Sequence, residues 1–211
     1  QWSRGNFVCV GLDSDFVKIP ESARRSGHEC AVSIANTIVA FNRAIVEATK
    51  DLVCAYKPNA AFYRAYGVEG VAALHRTIAD IRAIAPDVPV ILDVKYADIG
   101  NTNVGYVDEV FSFFQADAIT VHPFLGAEAL QPFLARAEKG IIVLCRTSNS
   151  GAGEFQDREV IPSYEDERRW KLPSGPRGES EPTHMPLYEY VARAVANDWN
   201  ENGNCALVVG A

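Results

Sequence analysis

Val88-Pro89-Val90-Ile91-Leu92-Asp93-Val94-Lys95-Tyr96-Ala97-Asp98-Ile99-Gly100-Asn101-Thr102-Asn103 is the stretch on which the fold turns. Val88–Val94 is an almost unbroken apolar run, the composition of a strand covered by helices on both faces rather than one with a wet side. Charge gathers where the run stops, at Asp93, Lys95 and Asp98. A strand period of two sends Asp93 and Lys95 to one side and Leu92 and Val94 to the other. Opposite unit charges ~4 Å apart attract by roughly 4 kcal/mol at an effective dielectric of ~20, which keeps Lys95 protonated and Asp93 ionised. The pair reads either as catalytic machinery or as a structural ion pair at a strand end, and burial is costly for both unless each group is satisfied.

Similar apolar runs lie on either side: Phe7–Leu12, Leu52–Tyr56, Ala118–Val121, Ile141–Cys145 and Ala206–Val209. Helical stripes with steps of three and four separate them. These are Ile34, Ile38, Phe41 and Ile45; Val71, Leu74, Ile78 and Ile81; Val104, Val107, Val110, Phe111 and Phe114; and Leu130, Phe133, Leu134 and Ala137. A fifth stripe, Leu187, Tyr190, Val191, Ala194 and Val195, follows Pro186, a residue tolerated in a first helical turn, and Asn202-Gly203 reads as its stop. Strand and helix alternate throughout, which is α/β with a parallel sheet.

No GxGxxG or P-loop follows any strand, which argues against an open doubly wound sheet. Polar residues instead end strand after strand: Asp13, Lys57, Asp93 with Lys95, His122, and Arg146 to Asn149. That is the layout of a (β/α)8 barrel, whose chemistry sits at the C-terminal ends of its strands. A closed barrel takes ~250 residues, whereas about six strands are legible here. The expectation is a single barrel domain over residues 1–211 that lacks its last two strand–helix units. Two stretches break the rhythm, Asp13 to about Val32 and Gly151 to about Pro186, the second carrying Pro162, Pro173, Pro176 and Pro182 and read as a long functional loop or insertion.

The 20 basic and 27 acidic residues give a net charge of −7, which argues against a nucleic-acid or acidic-membrane surface. No apolar run reaches the ~18–20 residues of a membrane span. Cys9, Cys30, Cys54, Cys145 and Cys205 form no CxxC pair and read as buried free thiols in a reducing cytosol. His28, His75, His122 and His184 have no zinc-like spacing. Trp2, Trp170 and Trp199 share no spacing and read as local packing, and Glu165–Arg169 as a solvated face or mobile loop, with a lid over the substrate as the alternative.

DxKxxDI-x-x-T at Asp93–Thr102, Leu12-Asp13 after the first strand and Lys57-Pro58-Asn59-Ala60-Ala61-Phe62-Tyr63 after the second resemble the orotidine 5′-phosphate decarboxylase family, in particular its bacterial branch with KPN at strand two. Thr120-Val121-His122-Pro123-Phe124-Leu125-Gly126 and Thr147-Ser148-Asn149-Ser150-Gly151 carry the same resemblance, which runs from about Val8 to Ala211. It implies a (β/α)8 barrel that converts orotidine 5′-phosphate (OMP) to uridine 5′-phosphate (UMP) in pyrimidine biosynthesis without a cofactor or metal, as a cytoplasmic homodimer. Carried over by position, it assigns Lys95, Asp93, Asp98 and Lys57 to catalysis, with Lys57 and Asp13 also serving the substrate ribose. Asp98 and Thr102 would reach into the neighbouring subunit's site. Ile99 becomes a substrate-binding position and Ser148 contacts the pyrimidine edge, while Asn59 and His122 match the pattern with roles open between substrate binding and structure.

The chemistry suits these residue types. Loss of carbon dioxide from C6 leaves an electron pair in the ring plane, beyond reach of the π system, so stabilisation must be electrostatic and an ammonium at Lys95 can then protonate C6. Two departures stand out: the family's glycine-rich phosphate loop and phosphate-binding arginine have no counterpart, and Ser150 replaces a common proline. The fragment alone is therefore expected to be inactive. Two rival readings remain open: an Mg²⁺-dependent sugar-phosphate lyase or aldolase of the same barrel superfamily, and a non-catalytic degenerate barrel.

Overall fold

The computed structural model describes residues 3, 5–24, 33–172 and 183–210. The chain divides into two compact units, Gln1–Val94 with Gly105–Thr120, and Lys95–Val104 with Val121–Ala211.

In the first unit β1 (Cys9–Gly11) pairs in parallel with β2 (Ala55–Lys57), in the register Cys9–Ala55 to Gly11–Lys57. Parallel bridges Tyr56–Val90 and Asn59–Asp93 join β2 to the chain of β3 (Ile91–Tyr96). The next strand, β4 (Ala118–Val121), runs beside β3, with the Ala118 amide donating to the Val90 carbonyl at 3.1 Å. Every residue of β4 is buried. The runs expected over Leu52–Tyr56 and Val88–Val94 thus form strands displaced by up to three residues, and Ala118–Val121 forms as expected.

A short helix α1 (Glu21–Arg24) precedes α2 (Ile34–Thr49), which begins where the Ser33 hydroxyl accepts from the Asn36 amide. The apolar stripe of α2 packs on α4 (Gly67–Ile84), with Ile38, Leu74, Ile78 and Ile81 all at most 1% exposed. Burying each such side chain contributes about 1.5–3 kcal/mol. Between them α3 (Ala60–Arg64) delivers Tyr63 into a wholly buried polar cluster. Tyr63 donates to the Leu12 carbonyl at 2.8 Å and accepts from Asn42 Nδ2 at 2.9 Å. Asn42 also donates to Thr77 at 3.0 Å, and its Oδ1 accepts from the Ser14 hydroxyl. Burial pushes the Tyr63 phenol well up, so it remains a donor. The cluster ties the segment after β1, which carries Asp13, to three helices at once.

In the second unit β5 (Gly140–Arg146) and β8 (Cys205–Val209) pair in parallel, from Ile141–Cys205 to Arg146–Val209. Helices α6 (Gly126–Leu134) and α8 (Leu187–Ala194) of this unit, and α5 (Gly100–Val107), whose residues are divided between the two units at Val104, match the last three expected stripes; α5 and α8 each run on into a wider π-helical turn. Gly210 presses on the loop after β5: a Cβ there would lie 2.5 Å from the Ser148 nitrogen and 2.7 Å from its Cβ. The Gly210 amide donates to the Arg146 carbonyl at 2.5 Å.

Several expectations are corrected. β1 and β8 are not buried on both faces: Cys9 and Gly11 of β1 are exposed, as are Phe7 and Val8 before it, and Val209 of β8 is exposed. Of the cysteines read as buried thiols, Cys145 is buried, Cys54 and Cys205 are partly exposed, and Cys9 is exposed. Within the stretch from Gly151 the described residues form β6 (Glu159–Val160), paired antiparallel with β7 (Met185–Pro186), and α7 (Tyr164–Arg169). A Ser163–Asp166 capping box starts α7, so Glu165–Arg169 is a helix. Trp170, Met185 and Ala194 form a small core there, joined by Trp199, which is the local packing expected of these two tryptophans. Such pieces evade a periodicity reading because each strand has two residues and the apolar contacts are far apart in sequence. Pro186 stands at the N-cap of α8 rather than inside it, and Asn202-Gly203 falls in the turn after that helix has ended. Trp2, His28, Cys30, Pro173, Pro176 and Pro182 lie outside the described residues. Among the described residues no helix is long and apolar enough to cross a membrane.

Urea denaturation tests the buried cluster. Tyr63→Phe should cost about 1–2 kcal/mol and Asn42→Ala about 2–3 kcal/mol, because each leaves buried partners unsatisfied; losses under about 0.5 kcal/mol for both would contradict it. Gly210→Ala should push the Ser148 loop aside and speed hydrogen exchange at the Thr147 amide by about tenfold or more, roughly 1.4 kcal/mol of local opening. Unchanged exchange there would mean the loop does not depend on the glycine.

Candidate active site

The end of β2 and the chain of β3 meet through one ion pair. Lys57 Nζ lies 3.0 Å from Asp93 Oδ2, with the lysine side chain 33% exposed and the aspartate side chain 7% exposed. The other carboxylate oxygen, Oδ1, accepts from the Thr120 hydroxyl of β4 at 2.8 Å. The Asp93 amide donates to the Pro58 carbonyl at 3.0 Å, so backbone and side chain are both fixed to neighbouring strands. An ionised carboxylate at this depth is tolerable because a cation and a hydroxyl replace its water. Thr120 belongs to the quoted Thr-Val-His-Pro run, but its role was not legible in the sequence, since a threonine inside an apolar strand reads as β propensity.

Asp13 and Asn59 flank the pair within the same unit. Asp13 is exposed at the exit of β1, held beside β2 by the Leu12 amide, which donates to the Lys57 carbonyl at 3.2 Å. Asn59 caps α3 by accepting from the Ala61 amide at 3.1 Å, and it bridges to Asp93 through the backbone. The structure therefore brings Lys57, Asn59 and Asp93 together, with Asp13 next to them in the β1–β2 register.

Lys95 is exposed and takes a φ of 53°, in the left-handed region. Lys95 nevertheless lies within β3, one residue before its end at Tyr96. A side chain in that region costs of order 1–3 kcal/mol and persists only where the surroundings demand it, most often at functional sites.

Asp98, Ile99 and Thr102 are set by a compact turn. Asp98 Oδ1 accepts from the Ile99 amide at 2.7 Å, and the Asp98 amide donates to Asn103 Oδ1 at 2.9 Å. Asn103, wholly buried, returns two bonds of 2.6 Å, to the carbonyls of Asp98 and Ala129. It closes the quoted motif, yet its part in locking the Asp98 turn needed the structure. Thr102 is half-buried near the start of α5, its amide bonded to Asn101 Oδ1 at 3.0 Å, and Ile99 is 60% exposed.

His122 follows β4, its amide bonded to the Tyr96 carbonyl at 3.0 Å, and its Nδ1 is buried with no hydrogen-bond partner among the described residues. Ser148 is exposed after β5, in a loop pinned by residues that sequence reasoning missed. Gln156 Oε1 accepts from the Thr147 amide at 2.8 Å, and Asp157 receives Arg146 in a two-pronged ion pair of 2.6 and 3.0 Å. Neither residue carries a spacing signal, because both sit in the irregular stretch after β5.

Chemically, the first unit offers a buried carboxylate with a cation bound to it, and the second unit offers a lysine on a strained backbone and a turn-held aspartate. The family model of orotidine 5′-phosphate decarboxylase / HUMPS matches residues 7–172. The chain is 46% identical over 207 residues to orotidine 5′-phosphate decarboxylase of Thermomicrobium roseum, covering 98% of this chain and 62% of that protein. With the enzyme of the same name from Cellvibrio japonicus it shares 41% over 209 residues, or 99% and 66% of the two chains. Among solved structures, OMP decarboxylase of Leishmania donovani is 35% identical with a TM-score of 0.74, over 99% of this chain and 67% of that one. The chain thus spans a little under two thirds of the length of these curated relatives. The expected fold class agrees: the family is built on the (β/α)8 barrel, and the pairs β1–β2 and β5–β8 are parallel in a chain that alternates strand and helix, with the antiparallel β6–β7 pair as an exception. With a match of this length across every strand-end motif quoted above, the chain belongs to the orotidine 5′-phosphate decarboxylase / HUMPS family.

Proposed function

We propose that this protein decarboxylates OMP to UMP in pyrimidine biosynthesis, a cofactor-free carboxy-lyase built on one barrel domain. The observation that carries the proposal is the buried Asp93 carboxylate, held at 3.0 Å by Lys57 and at 2.8 Å by Thr120, inside the DxKxxD run of a chain 46% identical to a protein of that name. The bond between C6 and the carboxylate breaks, carbon dioxide leaves, and the electron pair stays on C6. The Lys95 ammonium stabilises that pair and then gives it a proton, forming the C6–H bond of UMP; water reprotonates the lysine. Asp93 keeps the surroundings negative near the departing carboxylate, a repulsion relieved as the bond breaks.

Asp13 and Lys57 serve the ribose and the charge network, with Asn59 beside them. Ser148 meets the pyrimidine edge, and His122, whose buried Nδ1 has no partner among the described residues, is a polar group suited to a ligand. Asp98 and Thr102 reach the neighbouring subunit's site in a homodimer, Ile99 is a substrate-binding position, and the protein works in the cytoplasm. The left-handed backbone at Lys95 supports its role, because such strain is retained where a side chain must be aimed. Of the rival readings, the Mg²⁺-dependent lyase shares the family's barrel, while the curated relatives described above bear the decarboxylase name.

The test is decarboxylation by the full-length protein with and without a chelator. Lys95→Ala and Asp93→Asn should each lose well over tenfold in rate, and the chelator should change nothing. Mixing inactive Lys95→Ala and Asp98→Ala proteins should restore activity in hybrid dimers. Losses under tenfold would overturn the roles, chelator sensitivity would favour the lyase, and no recovery in hybrids would remove Asp98 from the partner's site.

A further inference from the structure

Thr120 is 3% exposed in a strand whose other residues are Ala118, Ile119 and Val121, all buried. A valine would fill the same space without the cost of burying a hydroxyl, which amounts to about 1–3 kcal/mol when the group is unpaired. The hydroxyl is therefore retained for what it bonds. It accepts from the Val94 amide at 3.0 Å and donates to Asp93 Oδ1 at 2.8 Å. A hydroxyl has one proton and two lone pairs, so the Val94 amide, by engaging a lone pair, turns the proton toward the carboxylate. The two oxygens of Asp93 are thus distinguished: Oδ1 faces a neutral donor on β4 and Oδ2 faces the ammonium of Lys57 on β2.

We propose that Thr120 is a positioning residue for the reaction, fixing the rotation of the Asp93 carboxylate so that one oxygen stays on Lys57. The proposal rests on the decarboxylase reading and adds to it a residue outside the DxKxxD run. Because Thr120 acts through Asp93 on the chemical step, its loss lowers kcat and leaves substrate binding nearly intact.

The experiment uses the full-length protein with Thr120→Val, Thr120→Ala and Thr120→Ser, reading kcat, KM, UMP affinity and Tm. Thr120→Val should lower kcat about tenfold or more, which corresponds to roughly 1.4 kcal/mol in the barrier, with KM and UMP affinity within about threefold. Thr120→Ser should restore kcat to within about threefold of the parent, since it keeps the donor and loses only a methyl. If the valine variant does not fold, the alanine variant carries the same comparison against serine. A parent without decarboxylase activity overturns the decarboxylase reading itself. An active parent with unchanged kcat in the valine or alanine variant overturns the role of Thr120, and so does a parallel fall in kcat, UMP affinity and Tm that serine does not rescue.

Discussion

The Lys57–Asp93 ion pair is the constraint from which the rest of the site follows. A carboxylate 7% exposed can remain ionised only if its lost hydration is replaced, and Lys57 and Thr120 replace it from the two strands that flank β3. Because the pair bridges β2 and the chain of β3, it couples strand register to charge placement: a one-residue slip in either strand would turn one partner to the opposite face. The Asp93–Pro58 backbone bond and the Asn59–Asp93 bridge hold that register. Behind it, Tyr63, Asn42, Ser14 and Thr77 fix the exit of β1 without contributing a charge, so the first strand end is set by neutral hydrogen bonds and the second and third by an ion pair.

The strand ends of the second unit are organised differently. Asp98 and Ser148 lie on turns stabilised by amide and guanidinium side chains, Asn103 for the one, Gln156 and Arg146 for the other. Such turns can carry exposed polar groups in fixed positions without burying a charge. Gly210 sets how closely β8 approaches the Ser148 loop, a steric rather than electrostatic constraint. The residues proposed to touch substrate therefore rest on three kinds of support: a buried charge pair, side-chain-locked turns and close backbone packing.

Most of the architecture was legible because hydrophobic periodicity reports burial directly: the stripe Ile34–Ile45 became α2, and the run Ala118–Val121 became β4 without change. Where the burial was one-sided the reading failed, as at Phe7, Val8 and Cys9, which are apolar in sequence and exposed in the fold. The pieces β6, α7 and β7 escaped because they are short and find their small core across a long span of chain. At the site, the charged residues could be picked out by type and spacing, Asp93 among them, a buried residue of β3. Lys57, from another strand, lies 3.0 Å from Asp93, a long-range pairing that alternation along one strand does not encode. Thr120, Asn103 and Gln156 were invisible for a related reason: each acts through hydrogen bonds across the fold, and a lone polar residue carries no spacing pattern.

The pair itself is open to direct measurement. A double-mutant cycle with Lys57→Met, Asp93→Asn and the double variant, read as unfolding free energy at neutral pH, isolates the interaction from the cost of each substitution. A coupling of about 1–3 kcal/mol is expected, with the double variant more stable than the sum of the single losses implies. Strict additivity within about 0.3 kcal/mol would mean that Lys57 does not hold Asp93, and the charge arrangement described above would have no foundation.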